Sequence, residues 1–328
     1  MPTTTAPPRP VAIDRVLDDP DLIGQLIRDN SPYTHVLMLP EFGRTASESG
    51  GGMPAGYERF CQRIGDEYFI NPVFRGNWAY DTPLVDHVEP LLYNERFVEA
   101  AKAVLGGTVV RPQIVYANLT APMGQNRKHT DVPAFRGVDR TAYPAWVVNA
   151  MQASGLFDRW RVRLATAVAW YYEGAAGGFS YWPDGADGDE VTIDPPSNTA
   201  MVGDNDVMFH RVEAVGAEQD GSVVPIDSLL RYDAMAEQWD IAKGERTFGR
   251  FAWDDIRVSV SWKAQVFADA AEARVFDEHL DDVSFETVVA VWRTDLADRG
   301  VGLPDSGDPL HDPAFVSAVT SAYAGTVR

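Results

Sequence analysis

Three side chains in the middle of the sequence have the types and spacing of metal ligands. His129 and Asp131 are separated by one residue in the segment KHTDVP, and His210 follows in the segment VMFHRVEAVG. In an extended segment, side chains two positions apart point to the same side of the chain, so an imidazole and a carboxylate converge there. A second imidazole from another strand completes a set that suits a divalent iron ion and leaves coordination positions open for other molecules.

Each of these residues taken alone has an ordinary structural explanation. His129 follows Arg127 and Lys128 and could be a surface histidine beside a turn, whereas His210 lies in an apolar segment and could be a hydrogen-bonded core residue. The joint occurrence of all three in this order favours the metal site. The remaining histidines have no partner at ligand spacing in the sequence, and we interpret them as structural or exposed: His35, His87, His279 and His311.

A later segment, IRVSVSWKAQVF, alternates strictly between apolar and polar residues. The alternation predicts a β-strand with Arg257, Ser259, Ser261 and Lys263 on one face and apolar side chains on the other. In an apolar core, the polar side chains of this face would find no hydrogen-bond partners. The alternation is explained if the strand turns this face toward a cavity that holds a charged molecule.

Four segments, in the order HTDVPAFRG, EGAAGGFSYWP, GDNDVMFHRVEAVG and RVSVSWKAQVF, carry a resemblance to a known family. In this order they resemble the Fe(II)/2-oxoglutarate-dependent oxygenase superfamily. The segment NERFVEAAKAVLGG followed by TVVRPQIVYANLTAPM is similar to its phytanoyl-CoA-hydroxylase-like branch, whereas GGFSYWP and HRVEAV are similar to its prolyl-hydroxylase-like branch. The resemblance covers residues 94–267, and it is not extended to one subfamily.

The resemblance implies both a fold and a set of cofactors. The fold is mainly β, a double-stranded β-helix (a jelly-roll, cupin-like core) that is buttressed by N- and C-terminal helices. His129, Asp131 and His210 correspond to the facial triad that holds Fe(II), with 2-oxoglutarate as cosubstrate and O2 as oxidant.

The resemblance also implies a basic residue that binds the far carboxylate of 2-oxoglutarate. Arg257, with Ser259, takes this role, because a guanidinium fits a carboxylate and stays charged when it is desolvated. The distance along the chain from His210 is longer than the family usually has, so Arg250 is the alternative anchor. Asn118 is expected to hydrogen-bond the cosubstrate or a metal ligand.

Further residues are expected to contact the substrate. Phe135 and Arg136 follow the ligand segment directly and take this role by resemblance, and the aromatic residues Tyr116 and Trp182 are candidates for the wall of the substrate cavity. Burial in the core is the alternative explanation for the two aromatic residues.

The elements that must position these residues are predicted as helices, then strands, then helices again. Residues 1–100 are expected to be mainly helical, and one helix is predicted to begin near Asn94 and to end at Gly106. A later segment, YDAMAEQWDIAKG, is also expected to be helical, and Ser284 is predicted to cap a further helix.

We expect a single oxygenase domain in this chain. A flexible arm is predicted over residues 1–12, followed by one domain over 13–328. Within that domain the sequence predicts a core at about 94–267, an insertion at about 216–255 and C-terminal helices at 284–328.

The composition narrows the possible partners and the compartment. Lys and Arg total 28 against 48 Asp and Glu, a net charge of -20, which disfavours nucleic acids and anionic membranes as partners. No apolar run is long enough to span a membrane. The single cysteine, Cys61, excludes an internal disulfide, and without a signal-peptide pattern this predicts a reducing cytoplasm.

The sequence therefore predicts a mononuclear Fe(II), 2-oxoglutarate-dependent dioxygenase, with hydroxylation as the expected reaction. The expected substrate is a small molecule, such as an amino acid or a natural-product intermediate, and succinate and CO2 are the expected co-products. Two alternatives stay open: a cupin-like metal-dependent enzyme that does not use 2-oxoglutarate, and a catalytically inactive binding protein on the same fold.

Overall fold

The computed structural model of the protein describes residues 7–39, 61–216 and 223–323. These residues form the following strands: β1 (Val11–Ile13), β2 (Tyr33–His35), β3 (Gln62–Ile64), β4 (Glu67–Ile70), β5 (Val73–Tyr80), β6 (Thr82–Pro83), β7 (Val109–Thr120), β8 (Leu164–Trp170), β9 (Phe179–Trp182), β10 (Val191–Ile193), β11 (Thr199–Gly203), β12 (Phe209–Val212), β13 (Val224–Pro225), β14 (Leu229–Asp233), β15 (Gln238–Lys243), β16 (Arg246–Phe251) and β17 (Arg257–Phe267). They also form the following α-helices: α1 (Asp21–Asp29), α2 (Glu89–Leu92), α3 (Glu95–Leu105), α4 (Ala145–Ser154), α5 (Ala270–Asp277), α6 (Phe285–Asp298) and α7 (Pro313–Tyr323).

The strands form a large sheet and two small ones. The large sheet has the order β1-β11-β8-β17-β7-β5-β2-β14-β15-β16, with β6 paired to β5. One small sheet has the order β10-β9-β12, and a bridge between His129 and His210 extends it beyond β12. The other small sheet has the order β13-β4-β3.

The chain alternates between the large sheet and the β10-β9-β12 sheet. It runs from β7 in the large sheet to His129 in the small one, back to β8, across to β9 and β10, back to β11, across to β12 and finally to β17. All of these pairings are antiparallel. This winding between two sheets is that of a jelly roll, so the predicted fold class is confirmed.

The two faces of the large sheet have different partners. The apolar residues of β7 and β17, such as Val115 and Val260, belong to the main core together with helix α3. Phe97 of α3 packs on Trp262, with ring centroids 5.3 Å apart. Because side chains alternate along a strand, the polar residues of β7 and β17 point to the opposite face. That face is turned into the jelly roll, where Lys263 meets Asp131.

Helix α3 has the ends that the sequence predicts. The Asn94 side chain accepts hydrogen bonds from the backbone N–H groups of Arg96 and Phe97, which satisfies two donors of the first turn. Gly106 ends the helix with a φ of 69°, a conformation that glycine adopts without steric cost. The prediction of this helix is confirmed.

Two predictions of local structure in the N-terminal part differ from the observed elements. The described part of residues 1–100 is not mainly helical, because β2 to β6 lie there and β5 pairs with β7 along its length. The predicted arm, residues 1–12, ends in a strand instead, since Val11 and Ala12 pair with Val202 and Met201 of β11. Residues 1–6 of that arm lie outside the described residues.

The segment YDAMAEQWDIAKG is a hairpin of β14 and β15, and the helix expected there is wrong. The Asp233 carboxylate accepts hydrogen bonds from the N–H groups of Met235 and Ala236, which satisfies two backbone donors of the turn between the strands. After the turn, Trp239 and Ile241 alternate into the core, and Trp239 packs on Tyr232 of the facing strand.

The C-terminal helices form a second apolar cluster with α4. Trp292 of α6 lies at its centre, with Phe315 of α7 and Met151 of α4 in the same cluster. Ser284 accepts a hydrogen bond from the Thr287 N–H and so caps α6 as predicted. Among the described residues, no helix combines the length and the apolarity that crossing a membrane requires.

Candidate metal centre

The sheets bring the three predicted ligands together. The His129 N–H donates to the His210 carbonyl at 3.1 Å, and the His210 N–H donates to the His129 carbonyl at 2.9 Å. The Asp131 N–H donates to the Asn205 carbonyl at 2.8 Å, which ties the carboxylate segment to the turn before β12. As a result, one ligand atom from each of His129, Asp131 and His210 lies within 4.8 Å of the others. This spacing can accommodate a single metal ion.

Backbone carbonyls orient both imidazoles. Nδ1 of His129 lies 2.9 Å from the Arg127 carbonyl oxygen, and Nδ1 of His210 lies 3.0 Å from the Met208 carbonyl oxygen. Since a carbonyl only accepts hydrogen bonds, each Nδ1 carries the proton and each Nε2 keeps its lone pair for a metal. Burial lowers the pKa of His210 to about 4, so this ring is neutral at neutral pH, as a metal ligand must be.

The two oxygens of the Asp131 carboxylate face different neighbours. Oδ1 lies 3.8 Å from Nε2 of His210, whereas Oδ2 accepts a hydrogen bond from Nζ of Lys263 at 2.6 Å. Burial alone would raise the pKa of Asp131, but Lys263 and the two histidines outweigh it and hold this pKa well below its usual range. Asp131 is therefore ionised and ready to bind a cation.

Lys263 is a residue of the site to which the sequence analysis gave no role. The strict alternation of β17 places it on the same face as Arg257 and Ser259, and that signal was available in the sequence. The contact of Lys263 with Asp131 could not be read from the sequence, because this contact depends on how closely the ligand segment approaches β17.

A buried acidic turn lies next to Lys263. Asp204 forms an ion pair with Arg161, and Asp206 lies 4.0 Å from the same guanidinium. Neither carboxylate oxygen of Asp206 has a hydrogen-bond partner among the described residues, and both are buried. Burial raises the pKa of Asp206 to about 7, although the charge of Lys263 opposes this shift.

Arg257 lies at the end of the polar face and has one unused donor group. Its Nε donates to the Gly177 carbonyl at 2.6 Å and its Nη1 donates to the Ser259 hydroxyl at 3.3 Å. Its Nη2 is buried and has no partner among the described residues. Burial lowers the pKa of Arg257 to about 10, which still leaves it charged at neutral pH.

A cavity of about 300 Å³ adjoins this guanidinium, with Trp170, Tyr172 and Asp194 in its wall. Gly177 also lines it, at a φ of 76°, and a Cβ there would lie 3.0 Å from Cδ of Arg257. The glycine of the segment GGFSYWP thus allows the arginine to pack against the backbone. A buried cation with a free donor beside a cavity fits a carboxylate ligand.

Arg250, the alternative anchor, lies elsewhere. It is on β16 at the outer edge of the large sheet, its side chain is 64% exposed, and its Nε lies 3.2 Å from Oδ1 of Asp240. Arg250 therefore does not face the polar interior, because the segment that carries it forms a hairpin at the end of the sheet.

Asn118 and Tyr116 lie on the polar face of β7. The Asn118 side chain accepts a hydrogen bond from Nε of Arg75 at 3.1 Å and donates to the Ser261 hydroxyl at 3.3 Å. The Arg75 guanidinium stacks 3.8 Å from the centre of the Tyr116 ring. Both residues are thus part of a hydrogen-bonded polar wall that continues to β17.

Three residues that were predicted to contact the substrate lie away from the candidate centre. Phe135 is buried in the C-terminal cluster, and Arg136 donates from Nε and Nη2 to both carboxylate oxygens of Asp281, at 2.7 and 2.9 Å. After Asp131 the chain leaves the jelly roll and packs against the C-terminal helices. Trp182 lies on the outer face of its sheet, where Lys128 Nζ is 3.9 Å from the ring centre, while the neighbouring Tyr181 faces inward.

The strand order and the ligand set together define a jelly-roll protein with a His–Asp–His candidate metal centre. No protein-family model matches the chain, and a search of curated proteins found no match. Among solved structures, the chain is similar to a Pseudomonas putida prolyl-4-hydroxylase, with 13% identity, a TM-score of 0.39 and coverage of 79% of this chain and 94% of the other.

Two further solved structures show similarity of the same degree. A Trichoplax adhaerens prolyl hydroxylase in complex with a hypoxia-inducible-factor peptide has 10% identity, a TM-score of 0.41 and coverage of 81% and 86%. A non-haem α-ketoglutarate-dependent carbocyclase from nogalamycin biosynthesis has 11% identity, a TM-score of 0.39 and coverage of 85% and 88%. These likenesses are remote, so the fold assignment rests on the strand order itself.

Proposed function

We propose that this protein is a mononuclear Fe(II), 2-oxoglutarate-dependent oxygenase and that His129, Asp131 and His210 hold the iron. The observation that carries the proposal is the convergence of two oriented imidazoles and one ionised carboxylate between the sheets of a jelly roll. This donor set suits Fe(II) and leaves open positions on the ion.

The fit to 2-oxoglutarate rests on Arg257. Its buried Nη2 has no partner among the described residues, and the Ser259 hydroxyl lies beside it. We assign to these two groups the binding of the far carboxylate of the cosubstrate, because a buried guanidinium gains a strong charge-assisted hydrogen bond there. Asn118, which lies directly across from Ser259 on β7, is assigned to the same wall of the cosubstrate site.

Iron, 2-oxoglutarate and O2 bound at this site would supply the oxidation of a C–H bond, with release of succinate and CO2. The chain's own part is to hold the ligands in place and to shape the cavity. We assign Tyr116 to the substrate wall, since it lies on the inner polar face next to Lys263. The proposed reaction is hydroxylation of a small molecule, and the proposed compartment is the cytoplasm.

Metal and cosubstrate titrations test the proposal. Purified protein without metal is titrated anaerobically with Fe(II) and then with 2-oxoglutarate, and succinate is measured after O2 is admitted with candidate substrates. We expect one iron per chain, 2-oxoglutarate binding that depends on the iron, and succinate formation. Iron binding without 2-oxoglutarate binding would favour the cupin-like enzyme, and the lack of an iron site would favour the inactive binding protein.

A further inference from the structure

The proposed function assigns no role to Lys263, a buried cation of the site. Lys263 lies on the inner face of β17 with its side chain 13% exposed, and its Nζ is 2.6 Å from Oδ2 of Asp131. The other oxygen, Oδ1, faces Nε2 of His210 at 3.8 Å. One oxygen of the carboxylate is thus held by a cation, and the other is turned toward the histidines of the candidate centre.

A second buried acid, Asp206, lies in the electrostatic surroundings of Lys263. Lys263 interacts electrostatically with Asp206 as well as with Asp131. Asp206 is fully buried, and its oxygens have no hydrogen-bond partner among the described residues. A buried carboxylate of this kind is costly unless cations lie nearby, and Lys263 and Arg161 both supply positive charge to Asp206.

We propose that Lys263 is a positioning residue of the iron site, which holds Oδ2 of Asp131 so that the carboxylate offers only Oδ1 to the metal. A carboxylate that binds through one oxygen occupies one coordination position, whereas a carboxylate that binds through both occupies two. Lys263 thereby keeps a position open for 2-oxoglutarate or O2. The inference rests on the proposed function, because it concerns that same iron.

Cobalt(II) serves as the probe, because its visible absorption reports the number and arrangement of its ligands. The Lys263→Met variant keeps the side-chain length and removes the charge. We expect its Co(II) spectrum to differ from that of the wild type, and its dissociation constant for 2-oxoglutarate, measured on the Co(II)-loaded protein, to rise about 10-fold or more. Lys263→Arg keeps a cation and hydrogen-bond donors and is expected to retain the wild-type spectrum.

Arg257→Gln is the matched control for cosubstrate binding. It should also weaken 2-oxoglutarate binding, but its Co(II) spectrum before 2-oxoglutarate is added should match the wild type, since Arg257 does not touch the ligands. A wild-type spectrum together with an unchanged 2-oxoglutarate dissociation constant in Lys263→Met would overturn the inference.

A second variant guards against a folding defect. Lys263→Met removes a positive charge that acts on both Asp131 and Asp206, so the double variant Lys263→Met/Asp206→Asn also removes one of the two buried acids that this charge stabilises. We expect the double variant to regain the melting temperature of the metal-free wild type and to keep the altered Co(II) spectrum. A wild-type spectrum in the double variant contradicts the inference.

The failure of the inference and the failure of the proposed function look different. If wild-type protein binds no Co(II), both are wrong. If it binds Co(II) and Lys263→Met is indistinguishable from it, only the role of Lys263 is wrong.

Discussion

Two buried histidines, His35 and His210, are alike in burial and in charge but differ in the use of their ring nitrogens. Burial lowers the pKa of each to about 4. Nε2 of His35 lies 3.0 Å from the Asn71 carbonyl oxygen, and Nδ1 accepts a hydrogen bond from the Leu37 N–H at 3.3 Å. His210 uses only Nδ1 in this way, and its Nε2 is turned toward Asp131 beyond hydrogen-bond distance.

Two buried arginines show the same contrast. Arg136, among the C-terminal helices, donates from Nε and Nη2 to the Asp281 carboxylate and from Nη2 to the Arg159 carbonyl. Arg257, inside the jelly roll, has an Nη2 without a partner among the described residues. Burial alone therefore does not separate structural from functional polar groups in this protein. In these two pairs, the residue of the candidate site keeps a ring or guanidinium nitrogen without a hydrogen-bond partner among the described residues, and its counterpart in the core does not use one for a ligand.

The largest effect is expected when the His210 imidazole is removed. His210→Ala should abolish binding of Fe(II) in an anaerobic titration, because two remaining ligands rarely hold this ion in water. His311→Ala is the matched control, since His311 is exposed and pairs with Asp308. Stoichiometric iron binding by His210→Ala would refute the assignment of the centre.

Arg257 and Arg136, the two arginines compared above, provide the next test. Arg257→Gln should weaken 2-oxoglutarate binding by about 2–5 kcal/mol while iron binding persists, since a buried charge-assisted contact is lost. Arg136→Gln should leave 2-oxoglutarate binding unchanged and instead lower the free energy of unfolding by about 1–3 kcal/mol, because Asp281 is half-exposed and can be rehydrated. Calorimetry and urea unfolding measure the two quantities. Equal 2-oxoglutarate affinities in both variants would remove the contrast.

His35, whose two ring nitrogens are both hydrogen-bonded, should contribute to the pH dependence of the free energy of unfolding. The pKa of His35 is about 4 in the folded protein against 6.5 for the ordinary side chain, so between these values the unfolded chain binds a proton that the folded one does not. Its contribution is complete above pH 6.5 and is lost as the pH falls, by about 3 kcal/mol near pH 4.

The variant His35→Gln isolates this contribution from those of His210 and Asp206. Urea unfolding of metal-free protein at pH 7 and at pH 4.5 should show a smaller loss of stability in the variant than in the wild type. Parallel losses in the two proteins would show that His35 does not titrate in this window.

The smallest effect is expected at the cap of α6. Ser284→Ala removes the hydrogen bond from the Thr287 N–H and should cost about 1 kcal/mol of unfolding free energy. Iron and 2-oxoglutarate affinities should stay at wild-type values, because the C-terminal cluster has no part in the centre. A change in either affinity would show that the two regions are coupled.

The four segments that resemble a known family predicted the jelly roll, and the types and spacing of His129, Asp131 and His210 predicted that these three residues converge. The alternation of β17 also predicted which of its residues share the polar face. The fold was implied by the family resemblance, which rests on the order of these segments, whereas the polar face of β17 follows from a local period that the sequence shows directly.

Predictions failed where the outcome depends on distant contacts. The segment YDAMAEQWDIAKG is rich in helix-forming residues, but Asp233 closes a turn and the packing of Trp239 selects a hairpin. Phe135 and Arg136 follow the ligands closely in sequence, yet the direction of the chain after Asp131 takes them to the C-terminal helices. The contact between Lys263 and Asp131 joins two segments whose approach only the folded chain defines.

The reciprocal backbone hydrogen bonds between His129 and His210 affect how the folded protein responds to loss of its metal. The main chain of both imidazoles is anchored by the sheet rather than by an ion, so a chelator should strip the centre without unravelling it. For the proposed oxygenase this means that the centre can be emptied and reloaded, so that its activity in a cell would follow the supply of ferrous ion rather than the rate of new synthesis.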